Sequence, residues 1–122
     1  VRPSFSPTYS DLVADDNEDM RSLLGYQLES KGYRVVMAVN GDEVLEQCRR
    51  EKPDVVLLDM VMPGKNGAET GVELRKDPAT RDIPIIFLTA FTGVSAAGCV
   101  TLPKNTSLDD LVSKIEQVLN NK

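Results

Sequence analysis

Asp54-Val55-Val56-Leu57-Leu58-Asp59 decides the fold. Four apolar residues stand in a row, with no polar alternation, between two carboxylates. That is the pattern of a strand buried on both faces, as in a parallel sheet covered by helices on each side. Asp59 is left at the carboxyl end, the edge of an open α/β sheet where ligands and chemistry sit. Asp11-Leu12-Val13-Ala14-Asp15-Asp16 repeats the arrangement earlier in the chain. Two strands of one sheet then deliver Asp15, Asp16 and Asp59 to one edge. Like charges held that close repel unless a cation or proton joins them. The constellation points to a divalent metal, with one carboxylate free to act as a nucleophile.

Working outward, the first strand is expected at about 10–14. A helix follows Asp16, with Met20, Leu23, Leu24 and Leu28 at helical spacing and Gly32 just past its end. The second strand covers 34–39, and Asn40-Gly41 reads as a turn. A helix over 42–50 turns Val44, Leu45 and Cys48 inward, and Pro53 stops it. Met62-Pro63-Gly64-Lys65-Asn66-Gly67 is a loop dense in turn formers. A helix over about 68–76 includes Val72 and Leu74. Strands at 84–88, ending in Thr89-Ala90, and at about 99–102 come next. The last helix, 108–119, carries Leu108, Leu111, Val112, Ile115, Val118 and Leu119 on one stripe. Ser107 is its expected N-cap, with Asp109 and Asp110 at the positive end of the dipole. Strand–helix alternation of this kind builds a parallel α/β sheet. Only nine residues, 90–98, separate the last two strands. A parallel crossover normally takes about a dozen or more, so the helix there is expected to be short or missing.

Composition narrows the chemistry. The 122 residues suit one domain, carry a formal charge of -5 and include no histidine. Ser-His-Asp catalysis and His-ligated zinc are thereby excluded, and the acidic balance argues against nucleic-acid binding. No apolar run is long enough to span a bilayer, and no signal peptide is evident. Cys48 and Cys99 lack metal or redox spacing and read as reduced core thiols in a cytoplasmic domain. Residues 1–9 read as a linker or frayed terminus and 10–122 as the domain. The Pro/Ser-rich start without Met suggests an upstream neighbour.

With these residues in order, the chain resembles the receiver domains of two-component response regulators over about 10–119. The resemblance rests on Asp15-Asp16, Asp59, Pro63, Gly67, Thr89-Ala90 and Lys104. It implies a flavodoxin-like, doubly wound five-stranded parallel sheet of order 2-1-3-4-5. It further implies that Asp59 is a phosphoacceptor, taking its phosphoryl group from a phosphohistidine on a histidine kinase or histidine phosphotransfer protein. Asp16 then ligates Mg²⁺ directly and Asp15 through water, joined by Asp59 and the Val61 main-chain carbonyl, while Thr89 and Lys104 meet phosphoryl oxygens. Such a module is a self-phosphorylating acceptor rather than a metabolic enzyme. It is cytoplasmic, with an output domain fused or separate, and this domain itself touches neither nucleic acid nor membrane. Mg²⁺ keeps several waters and takes oxygen ligands octahedrally, which suits this donor set.

The chain also departs from the family. The 90–98 segment is short, which disfavours the usual dimer through the helix there and the last helix. Thr101 stands where relatives often have an aromatic switch residue, and Asn105 follows Lys104 where a proline is usual. Val61 and Phe91 flank the acceptor, where relatives tend to have polar residues that position hydrolytic water. The phosphorylated form is therefore expected to be long-lived. Two rivals stay open: a pseudo-receiver that binds partners with a damaged switch, and a small aspartyl-phosphate phosphatase. The second lacks the further acid such enzymes place two residues after the nucleophile, where Val61 stands.

Overall fold

In a computed structural model, residues 9–62, 64–89 and 100–120 are described. The expectations that fall on Pro63, Ala90, Phe91, Cys99 and the 90–98 crossover lie outside them, as do residues 1–8. The elements are β1 (Ser10–Ala14), α1 (Glu18–Ser30), β2 (Arg34–Ala38), α2 (Gly41–Glu51), β3 (Val55–Asp59), α3 (Gly67–Lys76), β4 (Ile85–Thr89), β5 (Val100–Pro103) and α4 (Leu108–Asn120). All strand pairs are parallel, in the order β2-β1-β3-β4-β5.

The strand alternation in β1, β3 and β4 splits the core in two. Leu12, Ala14, Val56, Leu58, Ile85 and Phe87 face one way and pack with Val44, Leu45, Cys48 and Leu74 of α2 and α3. Val13, Val55, Leu57 and Ile86 face the other way and pack with Leu28, Leu111, Ile115 and Leu119 of α1 and α4. All five residues of β3 are buried, as its unbroken apolar run requires. Val72 of α3, read as one of its apolar residues, is exposed, whereas Leu74 is buried. The two stand on different sides of the helix.

The starts of α1, α2 and α3 are set by asparagine. Asn17, Asn40 and Asn66 each accept a backbone N–H from three residues on, Met20, Glu43 and Glu69, at 3.0, 2.9 and 2.8 Å. Glu69 returns the bond to Asn66 N–H, closing a capping box. Asn40-Gly41, read as a turn, is thus the N-cap and first residue of α2. Ser107 caps α4 as expected, its Oγ accepting from Asp110 N–H at 3.2 Å. Gly32 ends α1 at φ +95°, a left-handed conformation in which glycine carries no Cβ penalty. Two glycines owe their place to close approach. A Cβ on Gly67 would collide with the Asp59 carbonyl oxygen and the Met60 Cα, and one on Gly41 with the Thr70 hydroxyl and the Lys65 carbonyl. Among the described residues, no helix is long and apolar enough to cross a membrane.

Candidate functional site

The site forms where β1 and β3 end side by side. Their register, Ala14 opposite Leu58, brings Asp15, Asp16 and Asp59 to one edge. Ligand oxygens of the three carboxylates lie within 4.8 Å of one another. Asp15 and Asp59 are buried and Asp16 is exposed at the mouth.

Each carboxylate is aimed by its own chain. The Val61 N–H donates to Asp59 Oδ1 at 3.1 Å, turning the chain back over the strand end. The Asn17 N–H does the same for Asp15 Oδ1 at 2.9 Å. The Lys104 ammonium, one residue past β5, donates to Asp59 Oδ2 at 2.9 Å and lies 3.2 Å from Asp15 Oδ2. Lys104 is positioned through its backbone, whose N–H donates to the Thr89 carbonyl at 2.8 Å. Thr89 is itself buried at the end of β4. The structure thus brings Asp15, Asp16, Asp59, Thr89, Lys104 and Val61, the residues singled out in the sequence, into one neighbourhood. Sequence reading missed Arg21, whose guanidinium donates to the Asp15 carbonyl at 2.8 Å from the first turns of α1. Its spacing of six from Asp15 was the available signal.

Burial pushes the Asp59 carboxyl above the ordinary range; the Lys104 ammonium and the Val61 N–H pull it down, and the Asp15 charge pushes it up again. For Lys104, burial works to lower the ammonium, but Asp59 and Asp15 together outweigh it and hold it above its usual value. Lys104 meets two of the three carboxylates, so with Asp16 the fully ionised cluster of these four side chains keeps an excess of two negative charges. A hard divalent cation answers both that excess and the all-oxygen donor set. Beside the cluster, Asp15, Leu23, Leu24, Lys104, Leu108 and Leu111 line part of a recess of about 260 Å³ between α1 and α4.

A family model for the response regulator receiver domain matches residues 12–116, and the chain belongs to that family. It is a receiver domain of the response regulators of two-component signalling. The chain is 44% identical to Protein PilH of Pseudomonas aeruginosa over 78 residues, 64% of each. Among solved structures, it is similar to the N-terminal domain of a response regulator receiver protein from Methanoculleus marisnigri (36% identity, TM-score 0.74, 91% of this chain and 96% of that one). It is also similar to the response regulator protein TrrA of Thermotoga maritima in complex with Mg²⁺ and BeF (33% identity, TM-score 0.83, 91% and 99%). The chain spans 64% of the length of PilH and as little as 18% of other curated relatives.

Proposed function

We propose that Asp59 accepts a phosphoryl group from a phosphohistidine on a partner histidine kinase or histidine phosphotransfer protein. The observation that carries this reading is Asp59 itself. It is a buried carboxylate at a strand's carboxyl end, one oxygen held by Val61 N–H and the other by Lys104, with Asp15 and Asp16 alongside. An Asp59 oxygen attacks the phosphorus, an O–P bond forms as the P–N bond breaks, and the imidazole leaves with the electron pair and takes up a proton. Mg²⁺, when held by Asp15, Asp16, Asp59 and the Val61 carbonyl, supplies positive charge to the transferring group's oxygens. Lys104 offsets charge on one oxygen as a compact ammonium, and the Thr89 hydroxyl serves another. Because the Lys104 N–H is bonded to the Thr89 carbonyl, a pull on either side chain moves the ends of β4 and β5 together. That shared movement is the proposed signal to an output domain, fused or separate. The assembly of Asp16, Asp59, Thr89 and Lys104 favours a working acceptor over a pseudo-receiver.

Incubation with acetyl phosphate and Mg²⁺, read by intact mass, tests the reading. One added phosphoryl group is expected, lost with a chelator and in Asp59→Asn. Equal labelling of Asp59→Asn counts against it. The Val61 side chain is 59% exposed beside the acceptor and offers no hydrogen bond to an attacking water. Val61→Asn is therefore expected to shorten the lifetime of the phosphorylated form, measured by phosphate release after donor removal. An unchanged or longer lifetime would sink the proposed role of Val61.

A further inference from the structure

Asp11 sits at the opposite end of β1 from the acid pair. It is 0% exposed, and among the described residues neither of its carboxylate oxygens has a hydrogen-bond partner. The other buried carboxylates among the described residues are held: Asp15 by Asn17 N–H and Lys104, Asp59 by Val61 N–H and Lys104. Strand alternation puts Asp11 on the face of Val13, toward the apolar cluster that α1 supplies with Leu24 and Leu28 and α4 with Leu111, Ile115 and Leu119. Its ladder neighbours are Val35 and Val55. The charged and titratable groups around it are Asp54, just before β3, and Tyr33, just before β2, with Glu116 of α4 and Tyr9 facing Tyr33. None of these is a cation. Asp54 accepts the Ser10 N–H at 2.8 Å, which fixes its carboxylate next to Asp11 along the chain.

A lone ionised carboxylate in such surroundings costs far more than a neutral acid group does. The side chain is fully buried, no donor among the described residues compensates the charge, and Asp54 repels it. We propose that Asp11 is a buried proton-binding site that makes the folding of this domain sensitive to pH from mildly acidic up to neutral.

Burial first, and the Asp54 charge second, push the Asp11 carboxyl from 3.8 up to about 7. The unfolded chain gives up this proton near the ordinary value, whereas the folded domain keeps it until about 7. Between those limits the folded state binds more protons, so stability from this group falls as pH rises and levels off above about 7.

The guanidinium unfolding midpoint, measured from about pH 5 to about pH 8 for the wild type and Asp11→Asn, tests this. The wild-type midpoint should fall with pH and the fall should be markedly smaller in Asp11→Asn; an equal fall in both overturns the proposal. A carbon-detected NMR titration of the Asp11 carboxyl in the folded wild type needs no variant to fold. A midpoint near 7 supports the site, and a midpoint below about 5, or no titration between about pH 5 and 9, overturns it.

Discussion

Asp59 is held by two opposed influences, and their balance is measurable. Burial and the Asp15 charge disfavour its ionised form, while Lys104 and the Val61 N–H favour it, and the net direction is upward. A raised carboxyl is a penalty on the folded state that begins above the unfolded value, grows as pH rises to the folded one, and is constant beyond it. Asp59→Asn should therefore melt a few degrees higher than the wild type at pH 7, with the gain vanishing below about pH 3.9, the ordinary aspartate value. Thermal melts at pH 7 and pH 3 check it; a lower melting point for the variant at pH 7 would show that Lys104 outweighs burial. Asp59 was legible because its apolar run announces a strand and its position announces the strand's carboxyl end. Asp11 was not legible, although it belongs to a run of the same form. Its burial depends on α4, about a hundred residues away in the chain, closing over the base of the sheet, and no local pattern records that.

The loop from β3 to α3 shows how an element fixes a site. Gly67 opens α3, and its N–H donates to the Met60 carbonyl at 3.0 Å directly behind the acceptor. A Cβ at this position would press on backbone, which cannot step aside. Gly67→Ala should cost roughly 1–3 kcal/mol, as overpacking does, and slow phosphorylation by acetyl phosphate as Asp59 shifts. Gly25 in α1 is the control. A Cβ there would meet the Sδ–Cε end of Met37, a flexible tip on an edge strand. The helix gains about 1 kcal/mol from Gly→Ala, so Gly25→Ala should be close to neutral by denaturant titration. Equal losses in the two variants would refute the distinction between backbone and side-chain contact. The sequence named Gly67 as a turn former, which is half of its role. The other half, contact with Asp59, depends on how α3 packs across the strand end. Strand limits slipped by a residue for a similar reason: Asp54 looked like part of its strand, but its carboxylate accepts the Ser10 N–H ahead of β3 instead.

Over the whole molecule, the sheet divides two cores that share little but the strands. Leu57 and Leu58 are adjacent in β3, both 0% exposed, and belong to opposite cores. Leu→Ala at either position should cost about 2–5 kcal/mol. The two losses should nearly add, because the side chains lie in separate buried clusters on opposite faces of the sheet. A double-mutant cycle by denaturant unfolding checks this, and a large coupling would mean that the cores respond as one. Alternating elements with doubly apolar strands called for a parallel sheet covered on both faces, while its order β2-β1-β3-β4-β5 came from the resemblance to receivers. That order is also what sets β1 beside β3 and so gathers the acids. The most direct test of the central claim is to locate the acyl phosphate. Protein treated with acetyl phosphate and Mg²⁺ is reduced with borohydride, which converts a phosphorylated aspartate to homoserine, and then sequenced by tandem mass spectrometry. Homoserine at position 59 is the predicted result; homoserine at another aspartate, or at none in protein whose intact mass shows the added phosphoryl group, would contradict the account.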